Sequence, residues 1–222
     1  MRRPASPGRA DAGAAGSGGP NYRYLSYHIA RTWADGGPLM GETPSACPRV
    51  VANSSVLIHL SRISMFELLK ELYETLAIPR AVYREVVERG RGLPGSQEVE
   101  EATMANWIKV WDIRDRDAVK RFMKAHGLHL ADAEVVCLAI EAQALLVLAD
   151  ELRLRKALIR LGFDVKGCMG IIIEAAGRGL ISTDDAEASI NRLLMTDYRV
   201  NSRLINEVRL RLRELRRARG HG

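Results

Sequence analysis

Two predicted strands in this chain end on polar residues. The run "RVVA" is followed by Asn53, and "LLVLA" is followed by Asp150, with Glu151 directly after it. Asp132 and Glu134 fall in the first turn of a helix read over "LADAEVVCLAIEAQA", where the free N–H groups and the helix dipole favour a carboxylate. Glu85 lies within "RAVYREVVERG", flanked by Val82, Val86 and Val87. In open parallel α/β sheets, ligands collect beyond the C-terminal ends of the strands. These residues can therefore converge on one rim, and carboxylate oxygens gathered there suit a hard divalent cation held against a phosphate. Each residue also has a plainer role. Asp132 can be a helix-start acid, Asp150 an N-cap, and Glu85 a solvated helix residue. Singly the signals are weak; their order and spacing carry the argument.

The elements that must position these residues alternate along the chain. "RVVAN" reads as a buried strand and "SSVLIHLSRI" as a helix with a serine cap. "SMFELLKELYE" repeats the helical pattern, and "TLAIP" gives a second strand. Pro79 then suits the first turn of the helix "RAVYREVVERG", which Gly90 closes. "RGLPGS" reads as a loop, "WIKVWDI" as a strand and "DAVKRFMKAHG" as a helix ended by Gly127. After the central helix and "LLVLAD" come the helix "ELRLRKALIRLG", the short strand "FDVKG", and helices over "MGIIIEAAGRG" and "TDDAEASINRLLM". A final amphipathic helix, "NSRLINEVRLRLREL", has Leu204, Ile205, Val208, Leu212 and Leu215 on its apolar side. Short apolar strands alternating with helices predict a parallel sheet covered on both faces.

Composition bounds the chemistry. The chain has 222 residues, 47% hydrophobic and 27% charged, ordinary for a globular domain with extensions. No apolar run approaches the roughly 18 residues of a membrane span, and no apolar signal segment opens the chain. Three cysteines, Cys47, Cys137 and Cys168, form neither a disulfide framework nor a zinc motif, and a reduced cytoplasmic setting is expected. Residues 1–47 are rich in Gly, Pro, Ala and Ser and read as a disordered tail; a start at Met40 would remove most of it. Residues 48–197 read as the domain and 198–222 as a basic C-terminal helix. The net charge of +6 is uneven: the tail carries +2, the domain −2, and the last 25 residues +6, from eight Arg against Glu207 and Glu214. That end is either a phosphate-attracting arm or a solvated Arg-rich face.

Two segments carry a family resemblance. "VVANSSVLIHLSRISMFELLKELYETLAIPRAVYREVV" resembles the opening of PIN-like proteins in the branch described as domain of unknown function 3368. "LHLADAEVVCLAIEAQALLVLADELRLRKALIRLGFDVKGCMGIIIEAAGRGLI" resembles the same branch, through an acid–Ala–Glu helix start, a strand ending in an acid, an Arg-rich helix, and a Gly-x-x-x-x-Gly turn before a helix closed by Gly-Leu-Ile. The resemblance spans roughly residues 49–210. It implies a three-layer α/β/α fold with a short central parallel sheet. It also implies an endoribonuclease dependent on Mg²⁺ or Mn²⁺, often the toxin of a toxin–antitoxin pair.

The resemblance assigns roles residue by residue. Asp132, Asp150 and Glu85 match metal-binding acids, and Glu151 lies beside Asp150 as a helper for a second ion or a water. Ser54 or Ser55 falls near the scissile phosphate as a hydroxyl donor. Cys168 stands where the branch often has Thr or Ser. Asn53 stands where active PIN nucleases carry their first Asp, so one negative charge is missing and the amide NH₂ repels cations. Two functions follow: a metal-dependent ribonuclease restrained by a small antitoxin protein, or a catalytically weakened PIN-like module that binds nucleic acid or a partner. RNA contact is expected from Arg209, Arg211, Arg213, Arg216 and Arg217, a homodimer is expected from the resemblance, and no membrane contact is expected. A dinucleotide-binding fold is disfavoured, because no Gly-x-Gly-x-x-Gly follows the first strand.

Overall fold

The computed structural model describes residues 48–219, so the expectations for the N-terminal tail lie outside the described residues. Five short strands form one parallel sheet: β1 (Val50–Ala52), β2 (Leu76–Pro79), β3 (Ile108–Trp111), β4 (Leu146–Leu148) and β5 (Asp164–Lys166), in the order β3-β2-β1-β4-β5. β1 pairs with β4 in the register Val50–Leu146, Val51–Val147 and Ala52–Leu148. On its other side β1 meets β2 through Val51 and Ala77. Val51, Ala52, Leu76, Ala77, Ile78, Val147 and Leu148 are all fully buried, as strands covered on both faces require.

Among the described residues, ten helices flank the sheet: α1 (Ser54–Arg62), α2 (Leu68–Tyr73), α3 (Arg80–Tyr83, continuing as a π-helical turn over Arg84–Glu88), α4 (Ser96–Met104), α5 (Arg116–His126), α6 (Leu130–Glu141), α7 (Leu152–Arg160), α8 (Cys168–Arg178), α9 (Thr183–Leu194) and α10 (Ser202–Arg219). This is the α/β architecture expected from the alternation of elements. Among the described residues, no helix is long and apolar enough to cross a membrane.

The structure departs from the sequence reading in four places, the first being that α1 is capped by the Asn53 side chain and not by a serine, because the Asn53 amide oxygen accepts the Ser54 N–H. The second predicted helix is shorter: Ser64 turns at φ 58°, and regular helix runs only from Leu68 to Tyr73. The helix over Ser96–Met104 was not anticipated, because its apolar face is only Val99 and Ala102; its start is held by Glu98, which accepts the Gly95 N–H at 3.1 Å. The helix after Pro79 is not regular either. The Arg89 N–H reaches back five residues to the Arg84 carbonyl at 2.9 Å, and the widened turn buries both Val86 and Val87 while leaving Glu85 exposed. Such π turns recur at functional sites.

α10 lies on α8 and α9, with Val208 and Leu212 buried and Leu215 partly so, whereas Leu204 is 39% exposed. Arg216 joins it to α9 through Asp184 and Glu187.

Candidate metal centre at the strand ends

The sheet order reverses direction between β1 and β4, which is the topological switch point where open α/β sheets place ligands. Both strands end there. The Asn53 N–H bonds the Leu148 carbonyl at 2.9 Å, which continues the β1–β4 pairing one residue past the strand and sets Asn53 beside the chain leading to Asp150.

Asn53 is 2% exposed, and its amide is fully engaged. Oδ1 accepts the Ser54 N–H at 2.7 Å and the Ser54 hydroxyl at 3.2 Å, while Nδ2 donates to Asp132 Oδ1 at 3.0 Å. Ser54 Oγ is also 3.2 Å from Glu85 Oε2, so its single proton is shared between the Asn53 amide oxygen and the Glu85 carboxylate. One hydrogen-bonded string therefore runs from Asp132 through Asn53 and Ser54 to Glu85, drawing on α6, the β1–α1 junction and the π turn. Glu151 joins the group by charge. Burial pushes the Asp132 carboxyl above the ordinary aspartate range; the Asn53 hydrogen bond opposes this, and the negative charges of Glu151 and Glu85 raise it further. Glu151 is exposed and caps α7 through the Arg153 N–H at 3.5 Å.

Glu134, in the same helical turn as Asp132, serves another purpose. It is 2% exposed, bonds Arg116 at 2.6 Å, and accepts the Ala81 N–H at the start of α3. Its role is to tie α5 and α3 to α6.

Asp150 points its oxygens at a different set. Oδ1 accepts the Cys168 N–H at 3.1 Å and the Tyr198 hydroxyl at 2.9 Å. Oδ2 lies 2.9 Å from Cys168 Sγ and 3.3 Å from His59 Nδ1. Burial alone would raise this carboxyl, but the hydrogen bonds from His59, Cys168 and Tyr198 outweigh it and hold Asp150 below the ordinary range. Four donors fill the four lone-pair directions of the carboxylate. A Cβ at position 167 would overlap Asp150 Oδ1, so Gly167 is what lets the carboxylate cap α8. Ser55 Oγ accepts the Asp150 N–H at 3.3 Å, a backbone-holding role rather than a place on the rim.

Of the residues expected at the site, the structure joins Asn53, Ser54, Glu85 and Asp132 by hydrogen bonds, leaves Glu151 exposed at the α7 cap, and sets the Asp150 side chain in a neighbouring cluster. His59 and Tyr198 had not been singled out. The only signal for His59 was a lone histidine in an apolar helix, and Tyr198 lies in the α9–α10 connection, far from the acids in sequence. Arg209, Arg211, Arg213, Arg216 and Arg217 of α10 are exposed, but Arg211 pairs with Glu214 at 2.9 Å and Arg216 with Asp184 and Glu187, while Arg209 and Arg213 face solvent.

A comparison with curated proteins finds no match. The family model described as PIN domain, in the branch called domain of unknown function 3368, matches residues 49–214. That span contains the five strands, the rim and most of α10, and the chain belongs to the PIN domain family.

Proposed function

We propose that this protein is a metal-dependent ribonuclease of PIN type, of the toxin-like class restrained by a small antitoxin protein. The observation that carries this reading is the hydrogen-bonded string from Asp132 through Asn53 and Ser54 to Glu85, which sets two acids beyond the β1 and β4 ends at the switch point of the sheet. The donor set fits a hard cation. It offers oxygens, and the rise of the Asp132 carboxyl, driven first by burial and then by the charges of Glu151 and Glu85, is one that a bound cation would oppose by favouring the ionised form. Asp132 and Glu85 would hold the ion, with Glu151 beside them. When bound, Mg²⁺ or Mn²⁺ would neutralise charge on a phosphate and lower the pKa of a water.

The chain's own residues do the rest. Asn53 Nδ2 holds Asp132 through Oδ1 and leaves Oδ2 as the oxygen that would meet the ion. The Ser54 hydroxyl steadies Glu85 through Oε2, which leaves its other oxygen for the ion. The solvent-facing Arg209 and Arg213 offer a phosphate-attracting edge for the RNA. The competing reading is a PIN-like binding module with weakened catalysis. It is favoured by Asn53, whose amide brings an N–H donor where a further carboxylate would attract the ion.

Labelled RNA incubated with Mg²⁺ or Mn²⁺ decides between the two. Metal-dependent cleavage by the native chain that is lost in Asp132→Ala supports the ribonuclease. Binding of RNA with no metal-dependent cleavage, or equal cleavage by both chains, overturns it.

A further inference from the structure

Next to the rim lies a cluster of different chemistry. His59 from α1, Asp150 after β4 and Cys168 at the start of α8 each present one ligand-type atom, and these atoms lie within 4.8 Å of one another. We propose that His59 Nδ1, Asp150 Oδ2 and Cys168 Sγ form a second metal site, selective for a borderline-soft divalent ion such as Zn²⁺. This inference does not rest on the ribonuclease reading.

The geometry separates ligand atoms from supporting ones. Asp150 Oδ1 is held by the Tyr198 hydroxyl at 2.9 Å and the Cys168 N–H at 3.1 Å, which is the outer support that a ligating carboxylate needs. Among the described residues, Oδ2 faces the imidazole and the thiol. Metal–ligand lengths of about 2.0–2.3 Å in a tetrahedral zinc site imply ligand–ligand edges of about 3.3–3.6 Å. The His59–Asp150 edge, at 3.3 Å, already matches. The Cys168–Asp150 contact, at 2.9 Å, has to open by about half an ångström. The Tyr198 ring stands edge-on to His59 with centroids 5.0 Å apart. The fourth position is left to a water, which reaches the site past His59, whose side chain is 17% exposed.

Donor type sets selectivity. Mg²⁺ avoids thiolate and imidazole, whereas one sulfur, one nitrogen and one carboxylate oxygen suit zinc. Binding exchanges the two hydrogen bonds at Oδ2 for bonds to the ion. The Cys168 thiol proton is released to the buffer, and His59 binds as the neutral ring with its proton on Nε2.

The test uses the full chain stripped of metal, with Co²⁺ as a spectroscopic probe and Zn²⁺ in competition with a chromophoric chelator. The expected result is one tight Zn²⁺ per chain and a near-ultraviolet thiolate-to-cobalt band. Cys168→Ser should abolish the band and weaken Zn²⁺ at least about tenfold. His59→Gln, at a partly exposed position, should also weaken Zn²⁺ and decides the matter if the Cys168 variant does not fold. Cys47→Ser and Asp132→Asn should leave both signals unchanged. No cobalt band, a band that survives in folded Cys168→Ser, full zinc affinity in His59→Gln, or a band removed by Cys47→Ser would each overturn the proposal.

Discussion

Replacing Asn53 with Asp converts a hydrogen bond into a clash of charges, and the size of the effect follows from the geometry. Asn53 Nδ2 sits 3.0 Å from Asp132 Oδ1. Two carboxylates at that separation repel by about 5.5 kcal/mol at an effective dielectric of about 20. The pair need not bear all of this, because it can share a proton. Starting from the ordinary aspartate value of 3.8, holding one proton at pH 7 costs about 4 kcal/mol, and at pH 5 about 1.6 kcal/mol. The proton is held by the folded variant and not by the unfolded chain, so the variant loses stability as pH rises. Metal-free Asn53→Asp should therefore be less stable than the native chain by up to about 4 kcal/mol at pH 7, with most of the gap closed at pH 5. A divalent cation offsets the same repulsion. Urea unfolding at both pH values, with and without Mn²⁺, measures each arm. If the metal-free variant matches the native chain at pH 7, or its deficit is indifferent to both pH and Mn²⁺, residue 53 does not face the ion and the rim is drawn wrongly.

Other perturbations follow from the same map. Asp132 is raised mainly by burial, so its ionisation opposes folding: stability falls as pH climbs through the window above 3.8. Asp132→Asn keeps the shape, and without metal it should melt at a higher temperature than the native chain at neutral pH, as calorimetry will show. Asp150 is held below the ordinary range, so its contribution is present above 3.8 and fades as pH falls through its lower folded value. Asp150→Asn should cost about 3 kcal/mol at pH 7 and show a flatter decline in acid urea titrations. Arg209 and Arg213 are solvent-facing cations of α10. If both touch phosphates of single-stranded RNA, replacing them with Ala should reduce the slope of log affinity against log salt by about 1.4, measured by fluorescence anisotropy.

The sheet was readable because each strand is a short apolar run bounded by a helix signal, and "LLVLAD" could hardly be anything else. The rim was readable for a related reason. Polar residues at strand ends are few, so Asn53, and Glu151 through its neighbour, stood out. What periodicity could not supply was direction. Asp132 and Glu134 are two residues apart on one helix, yet one joins Asn53 at the rim and the other bonds Arg116. Asp150 and Glu151 are adjacent, yet the turn into α7 sends one toward Cys168 and leaves the other to be felt by Asp132. The π turn was equally hidden, since an extra residue in a helix leaves no compositional trace beyond the paired Val86 and Val87. Tyr198 reaches Asp150 across 48 residues, and no local pattern points to it.

Mn²⁺ binding at the rim tests the central claim most directly. Electron paramagnetic resonance titration of the metal-stripped chain should show bound Mn²⁺ at neutral pH. That signal should fall at least about tenfold in Asp132→Asn and persist in Cys168→Ser. A native chain that leaves millimolar Mn²⁺ free, or an Asp132→Asn variant that binds it equally well, would contradict the reading of these acids as a metal centre.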